Sequence, residues 1–248
     1  MTPLQAPAAC PDLRLWLLDL RGEPQADHWQ ACDPEERDRA TRFKFEVHAR
    51  RFRAAHAAMR QLMAQQLGVT PANWRWSPGH LGKPHPMFRG WGQFNLSHSE
   101  DWGLLAWHPR RPVGVDIEWG KPLSDRDGLA AQQYTAPEQA WLQAGADDDA
   151  RTQRFYQLWS TKEAVLKALG SGLLVAPQRF EVDTTALAAP QDAGCGPAST
   201  TQIELGEADQ RTPGTLVDIH WCSLALPAEL SACAAVAWLA PDDQWHCW

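Results

Sequence analysis

The hexapeptide GVDIEW, at residues 114–119, has the alternating pattern of a half-buried β-strand. Successive side chains of a strand point to opposite faces, so Val115 and Ile117 are predicted to share an apolar face. Asp116 and Glu118 then share the other face, with Cα atoms about 6–7 Å apart at a rise of roughly 3.3 Å per residue. Two carboxylates at this spacing repel each other unless positive charge lies between them. The stretch therefore predicts a positively charged partner for the two carboxylates.

The composition of the whole chain is that of a globular protein. Its 248 residues are 44% apolar and 21% charged, and this length suits one large domain or two smaller ones. The opening segment is predicted to be neither a signal peptide nor a membrane span, because Arg14 and Asp19 interrupt its apolar run. The six cysteines form no CxxC pair, which favours reduced thiols in a cytoplasmic protein over a metal site.

The net charge of −7 is unevenly distributed along the chain. Residues 1–112 have 15 basic and 11 acidic side chains, whereas residues 113–248 have 8 and 19. The most basic segment, residues 37–60, holds eight basic and two acidic residues. In an acidic protein, such a segment suits a discrete anion better than a long nucleic-acid track. A solvated helix face explains the same charges equally well.

The hydrophobic periodicity predicts two similar sets of elements. Strands are predicted at residues 13–20, 73–76, 93–97, 102–108, 112–119, 179–183, 201–205, 216–225 and 233–240. Helices are predicted from an Asp33 N-cap followed by Pro34, over a second segment that Gly68 ends, and over residues 135–145 and 149–170. Residues 187–200 are predicted to form a loop. The order indicates two α+β halves joined near residue 112, although no sequence repeat is visible between them.

The long helix of the second half supplies a third carboxylate. Trp159, Glu163 and Lys167 are spaced four residues apart and lie on one helix face. If this helix packs beside the GVDIEW strand, Glu163 joins Asp116 and Glu118 in a site suited to a hard cation such as Mg²⁺, which often also holds phosphates. In the alternative interpretation, Glu163 and Lys167 form a surface ion pair and the strand carboxylates face solvent.

Two further segments bear polar groups that suit a phosphate. Ser97, His98 and Ser99 stand at the end of a predicted strand, where hydroxyls, an imidazole and turn amides can surround an anion. The Gly/Pro-rich segment 79–86 presents Lys83, although alone it reads as a turn. No Ser-His-Asp triad can be inferred from this arrangement, because triad members meet in space and not in sequence.

Four motifs together carry a resemblance to a known family. These are LGKP (81–84), FNLSHS (94–99), GVDIE (114–118) and FYQLWSTKEAVLKALGSGL (155–173). In this order and at these separations, the chain resembles the 4'-phosphopantetheinyl transferases of the larger, surfactin-synthetase-activating (Sfp-like) type. The resemblance runs from about residue 33 to residue 183. Each motif alone is weak, but GVDIE followed some forty residues later by WSTKEA is a specific signature.

The resemblance implies an α+β monomer of two pseudo-symmetric halves, each a small antiparallel sheet with a long helix. Coenzyme A is expected in the cleft between them. Residues 1–112 form the half on the nucleotide side, and residues 113–248 form the half with the metal and catalytic groups. The implied reaction moves 4'-phosphopantetheine from coenzyme A to a serine of an apo acyl or peptidyl carrier protein, and releases adenosine 3',5'-bisphosphate.

The resemblance also assigns the site residues. Asp116, Glu118 and Glu163 are expected to hold Mg²⁺ against the pyrophosphate of coenzyme A. The residues expected to contact coenzyme A are Asp116, Lys83, Ser97, His98 and Lys167, with Arg39 and Arg51 on its 3'-phosphate. Glu36 departs from the pattern, because similar proteins can have a lysine there.

The catalytic assignments follow from the same resemblance. Glu163 is expected to act as the base that activates the carrier serine, a poor nucleophile at neutral pH. Lys167 and His98 are expected to stabilise the developing charge. The carrier is expected to contact residues 120–135, and neither a nucleic acid nor a membrane is an expected partner.

Two other classes of protein remain open from the residues alone. A magnesium-dependent phosphohydrolase can use the same three carboxylates, although no second metal motif is evident. A non-catalytic coenzyme A-binding module is the other alternative. Such a module is expected to lack one of Asp116, Glu163 or Lys167, and all three are present.

Overall fold

The computed structural model of the chain describes residues 1–79, 82–171, 175–189, 194–205, 215–227 and 229–240. Its strands are β1 (Thr2–Leu4), β2 (Arg14–Asp19), β3 (Trp76–Pro78), β4 (Pro84–Pro86), β5 (Gln93–Ser99), β6 (Trp102–His108), β7 (Val113–Trp119), β8 (Ser199–Glu204), β9 (Leu216–Ser223) and β10 (Ala232–Leu239). Its helices are α1 (Ala26–Gln30), α2 (Pro34–Thr41), α3 (Glu46–Leu67), α4 (Arg126–Gln133), α5 (Ala136–Gln143), α6 (Asp148–Leu169) and α7 (Thr184–Ala188). Leu81, residues 172–173 of the last motif and Cys247 lie outside the described residues.

Two four-stranded antiparallel sheets form the body of the protein, which confirms the predicted α+β class. The first has the order β1-β2-β6-β5, and the second has the order β7-β10-β9-β8. All strands of the first sheet precede β7, and β7 begins the second sheet. A separate hairpin of β3 and β4 stands beside them. Strand β5 is therefore one outer strand of the first sheet, and β7 is one outer strand of the second.

The sheets pack face to face, and each has a long helix on its other face. The core between the sheets contains Leu15 and Leu17 of β2 together with Val115 and Ile117 of β7. A second core lies between α3 and the first sheet, and a third lies between α6 and the second sheet. The apolar face predicted for GVDIEW is therefore the face that joins the two halves.

The halves repeat one pattern of short helix and long helix without a gap. Helices α5 and α6 each begin and end 102 residues after α2 and α3. Capping boxes begin both short helices, at Asp33 and Thr135, and left-handed glycines end both long helices. Along this stretch only three positions keep the same residue type, namely Glu36/Glu138, Leu67/Leu169 and Gly68/Gly170. The predicted similarity of the two halves is thus confirmed for these helices, and the residues show no repeat, as expected.

Two predicted strands are wrong. Residues 179–183 instead follow a 3-10 turn at Pro177–Arg179 and lead into α7. Only the last residue of the predicted strand 73–76 belongs to β3, because residues 70–74 form a hydrogen-bonded turn. Near the first of these segments the main chain bonds to a side chain, since Lys162 donates to the carbonyls of Pro177 and Phe180.

The described part of the chain contains no helix long and apolar enough to span a bilayer.

Candidate active site

The site lies where β5 and β7 meet. No main-chain ladder joins these strands in the described residues, and alternate side chains of β5 reach across instead. Asn95 Oδ1 accepts from the Val115 amide at 2.9 Å, and Ser97 Oγ donates to Asp116 Oδ1 at 2.8 Å. Ser99 Oγ donates to Glu118 Oε2 at 3.0 Å. The period of two along both strands therefore brings the SHS and DIE motifs into register.

Helix α6 contacts β7 through its backbone at Gly114. A Cβ atom at this position would lie 2.1 Å from the carbonyl oxygen of Ala164 and 2.3 Å from the amide nitrogen of Ala168. Only glycine permits this approach, because both neighbours are backbone atoms that no rotamer change can move. The close contact brings Lys167 of α6 onto the carboxylate face of β7.

Lys167 is the positively charged partner of the strand carboxylates. Its Nζ donates to Asp116 Oδ1 at 2.5 Å and to Ser97 Oγ at 3.1 Å. Asp116 is buried, with 2% of its surface exposed. Lys167 bonds to Asp116 across the helix–strand contact, so the alternative of a Glu163–Lys167 surface pair with solvent-facing strand carboxylates is wrong.

Asp116 retains one unsatisfied oxygen. Its Oδ2 is buried and has no hydrogen-bond partner among the described residues. Burial raises the pKa of Asp116, and the Lys167 charge and hydrogen bonds from Lys167 and Ser97 oppose that rise only in part. A buried carboxylate oxygen without a partner is costly unless a further cation or donor reaches it.

Glu118 and Glu163 share this electrostatic environment. Burial raises the pKa of each carboxyl group, and the charge of Asp116 raises both further. The described residues contain no group of three His, Cys, Asp or Glu side chains already arranged around a metal position. Nevertheless, a bare Oδ2 beside two half-buried carboxylates is the donor chemistry that a hard divalent cation satisfies. The three predicted metal ligands therefore fit such an ion chemically.

His98 lies at the open side of this cluster, and its side chain is exposed. Nearby protein atoms still desolvate part of the imidazole and lower its pKa, and the charges of His56, Lys167 and Arg51 lower it further. These neighbours belong to α3 and α6, so groups of both long helices contribute to the electrostatic environment of His98.

The remaining predicted coenzyme A contacts have partners within the protein. Lys83 Nζ donates to the carbonyls of Val113 and Ala168, both at 3.0 Å. Arg51 forms ion pairs with Glu100 at 2.7 Å and Asp101 at 2.9 Å. The guanidinium of Arg39 lies over the Phe52 ring, 5.2 Å from its centroid. The structure thus brings Ser97, Asp116 and Lys167 together, whereas the contacts of these three cations described here are with other groups.

Sequence reasoning missed the groups that fix the two long helices. Lys162 is fully buried and pairs with buried Glu138 at 2.8 Å. Arg60 is buried at the equivalent place in α3 and pairs with Glu36 at 2.6 Å. The signal was available, since each cation follows its capping-box glutamate by 24 residues. Gly114 was also missed, because its backbone contact is made only in the folded protein.

Comparisons with known proteins agree with these features. A model of the 4'-phosphopantetheinyl transferase superfamily matches residues 112–222. The chain is 31% identical over 245 residues to a phosphopantetheinyl transferase of Thraustochytrium sp., covering 90% of this chain and 82% of that protein. It is 33% identical over 168 residues to the 4'-phosphopantetheinyl transferase HetI of Nostoc sp., covering 65% and 70% of the two chains. It is also 33% identical over 149 residues to the 4'-phosphopantetheinyl transferase Sfp of Bacillus subtilis, covering 60% and 65%.

Proposed function

The chain belongs to the 4'-phosphopantetheinyl transferase superfamily, and we propose that it transfers 4'-phosphopantetheine from coenzyme A to a serine of an apo carrier protein. Adenosine 3',5'-bisphosphate is the second product. The observation that carries this proposal is the cluster of buried Asp116 and Ser97 with half-buried Lys167, in which one oxygen of Asp116 is unsatisfied. The cluster lies where the two halves meet, beside the exposed His98. A diphosphate entering this cleft would find both a cationic group and a place for a metal.

We assign the metal to Asp116, Glu118 and Glu163 and propose Mg²⁺ as the ion. Bound Mg²⁺ supplies positive charge to the diphosphate oxygens. The support is chemical: three carboxylates, one of them with a buried bare oxygen, share one small region. Ser97 and Ser99 hold the strand carboxylates in place through the bonds described above.

The chain's own groups then divide the proton and charge chemistry. Glu163 accepts the proton of the carrier serine, and its raised pKa brings it nearer to the range of an efficient base. The ammonium of Lys167 stabilises charge on the departing phosphate. His98 has a lowered pKa and is neutral near pH 7, so it acts as a hydrogen-bond donor to a phosphate oxygen.

The two halves bind different parts of the reactants. Residues 1–112 hold the nucleotide through Arg39, Arg51 and Lys83, whereas residues 113–248 hold the metal and the reacting groups. The carrier approaches over residues 120–135. In support, a groove of about 860 Å³ lies beside the beginning of this segment, where Lys121 lines it together with Trp102 and Trp119. We expect a cytoplasmic monomer, and the five described cysteines are free thiols, as a reducing compartment requires.

The direct test is incubation of the protein with coenzyme A, Mg²⁺ and a panel of apo acyl and peptidyl carriers. Transfer increases the mass of one carrier by a phosphopantetheinyl group, and the reaction needs the carrier serine. An Asp116→Asn variant, which keeps the shape of the side chain, serves as the control and should lose transfer, and added Mg²⁺ should not restore it. Cleavage of coenzyme A without a carrier would instead identify a phosphohydrolase, and binding without turnover would identify a non-catalytic module.

A further inference from the structure

Three cysteines lie together away from the candidate active site. Cys10 and Cys222 are buried in the core between the two sheets, and the partly buried Cys195 packs against this core. Cys222 belongs to β9, which is two strands away from β7 in the second sheet. Cys10 belongs to residues 1–112, whereas the other two belong to residues 113–248. The thiols therefore gather where the two halves pack on each other.

The main-chain register brings Cys195 next to Cys222. Cys195 pairs in an antiparallel bridge with Leu224, which directly follows β9, and main-chain hydrogen bonds of 2.9 and 3.0 Å flank this pair. Paired residues of an antiparallel bridge share a face, and so do residues two positions apart along a strand. Cys222 is two positions before Leu224. The side chains of Cys195 and Cys222 are therefore diagonal neighbours on one face.

The two sulfur atoms are also in contact. The thiol of Cys222 donates a hydrogen bond to the sulfur of Cys195. Cys195 in turn donates to the main-chain carbonyl of Gln5 in the other half, with 3.4 Å between sulfur and oxygen. Its sulfur thus has a donor on one side and an acceptor on the other. This arrangement suits a thiol that is to lose its proton.

Cys195 differs from the other described cysteines in its ionisation. The hydrogen bond from Cys222 lowers the pKa of Cys195 and outweighs the opposing effect of burial. Burial raises the pKa of Cys10, and it raises the pKa of both Cys32 and Cys233 to about 12. The thiolate is the form that reacts with oxidants. Among the five described cysteines, Cys195 therefore combines partial exposure with thiolate character.

A bond between the two sulfur atoms requires only a small movement of the main chain. Diagonal neighbours have Cα atoms about 7–8 Å apart, with closer Cβ atoms, whereas a disulfide needs roughly 4.4–6.8 Å between Cα atoms. Cys222 is fixed within β9, between two neighbouring strands. Cys195 lies in an isolated bridge between Gly194, whose φ is 96°, and Gly196. Glycines on both sides give the segment of Cys195 the freedom to move towards β9.

We propose that Cys195 and Cys222 form a reversible disulfide when a hydroperoxide oxidises the protein, with Cys195 as the attacked thiol and Cys222 as the resolving thiol. The Cys195 sulfur first attacks one oxygen of hydrogen peroxide, the O–O bond breaks, and a sulfenic acid and water form. The Cys222 sulfur then attacks the Cys195 sulfur, and the hydroxyl group leaves with the Cys222 proton as a second water. Two thiols lose two electrons in total, and the peroxide takes them up.

The disulfide also changes how the halves contact each other. Oxidation removes the hydrogen that Cys195 donates to the carbonyl of Gln5. A contact between the halves is thus replaced by a covalent bond within the second half. This inference is independent of the proposed function, because it involves neither coenzyme A nor the carboxylates.

The test is oxidation of the reduced full-length protein with hydrogen peroxide, followed by digestion without reductant and mass spectrometry. One intramolecular disulfide should join the peptides that contain Cys195 and Cys222, with the loss of two hydrogen atoms. The thiols titrated after denaturation should fall from six to four, and dithiothreitol should restore all six. A disulfide between any other pair of cysteines, a disulfide-linked dimer, or unchanged peptides of Cys195 and Cys222 would overturn the proposal.

Three variants separate the roles of the two thiols. Cys195→Ser should abolish disulfide formation, whereas Cys222→Ser should stop at a sulfenic acid on Cys195, which dimedone traps. Cys233→Ser is the matched control, because Cys233 is also partly exposed but has a raised pKa, and this variant should form the disulfide like the wild type. Dimedone labelling of another cysteine in place of Cys195 would contradict the assigned order. Peptide mapping of the wild type decides the proposal even if Cys222→Ser does not fold.

Discussion

In the first half, the capping-box carboxylate of Glu36 binds a buried arginine and an imidazole that faces a pocket. In the second half, the carboxylate of Glu138 binds buried Lys162 and the main chain of the following segment. Each buried cation also donates to main-chain carbonyls and lies over an aromatic ring, of Trp74 in one half and Phe180 in the other. The same anchoring unit therefore fixes both long helices.

The difference between the halves lies in the exposed face of each long helix. Glu163 and Lys167 of α6 correspond to Gln61 and Gln65 of α3, which bear no charge. The family model matches residues 112–222, which include α6 and exclude α3. We propose that one scaffold gives reacting groups in one half and ligand-binding groups in the other. The buried pairs Arg60–Glu36 and Lys162–Glu138 can be tested separately from the exposed faces of the two long helices.

The largest effect is expected where α6 touches β7. Gly114→Ala places a Cβ against two backbone atoms of α6, so we expect a loss of more than about 4 kcal/mol in the free energy of unfolding, together with loss of transfer. Gly103→Ala in β6 is the matched control of the first half, since its nearest neighbour is the Leu18 side chain at 3.3 Å. Thermal and denaturant unfolding measure both, and a mild effect at Gly114 would contradict the tight contact.

The next largest effect on stability is expected at the buried cations Arg60 and Lys162. Arg60→Met and Lys162→Met each take the buried cation away from a buried carboxylate, which costs about 3–5 kcal/mol in the free energy of unfolding. Arg60 should cost more, because it pairs with both Asp33 and Glu36, whereas Lys162 pairs with Glu138 alone. Arg42→Met removes an exposed pair with Asp38 and should cost less than about 1 kcal/mol. Urea unfolding of the three variants measures the three losses in the free energy of unfolding. A larger loss for Lys162→Met than for Arg60→Met would contradict the expected order.

The reacting face of α6 is tested by Glu163→Gln. If Glu163 is the base, turnover should fall by roughly 10²–10⁴-fold while coenzyme A still binds. If Glu163 is mainly a metal ligand, affinity and turnover should fall together, and added Mg²⁺ should restore part of the rate. Gln61→Glu, the reciprocal change on α3, should leave turnover unchanged. Single-turnover transfer beside calorimetric affinity, on the same preparations, separates these outcomes.

The smallest effect concerns acid stability. The pKa of Glu36 is lowered from 4.5 to about 2 in the folded protein, so its ionisation contributes stability above pH 4.5 that is lost as the pH falls through 2. The difference corresponds to about 3 kcal/mol at neutral pH. Glu36→Gln should therefore be less stable than the wild type at pH 7, and the gap should close towards pH 2. Glu204→Gln, at an exposed position, is the control. If the difference in stability between Glu36→Gln and the wild type stays constant with pH, the ionisation of Glu36 does not explain it.

Local signals in the sequence predicted most of the fold. The Asp33 cap, the glycines that end α3 and α6, and the alternation in GVDIEW each depend on neighbours a few residues away, and all three are confirmed. Residues 179–183 were mistaken for a strand because their side chains alternate between polar and apolar, as in a half-buried strand. Lys162, Glu138 and Thr201 provide the hydrogen bonds that a neighbouring strand would otherwise provide.

The candidate site was predictable only in part for the same physical reason. Carboxylate spacing placed Asp116 and Glu118 on one face, and helix periodicity placed Glu163 beside Lys167. The bond from Lys167 to Asp116 requires the backbone contact at Gly114, which joins residues about fifty positions apart. Likewise, nothing near His56 in the sequence indicates that Glu36, twenty residues earlier, holds its ring.

The side-chain bonds between the outer strands β5 and β7 also affect how this protein behaves in solution. An outer strand with unpaired main-chain groups is a template for strands of other molecules, and proteins usually shield it with charge, proline or a covering segment. Here Asn95, Ser97 and Ser99 shield it by bonding one outer strand to the other. We therefore expect these polar residues also to protect the chain from self-association. Substitution of these residues risks aggregation as well as lost chemistry, and sedimentation behaviour distinguishes the two.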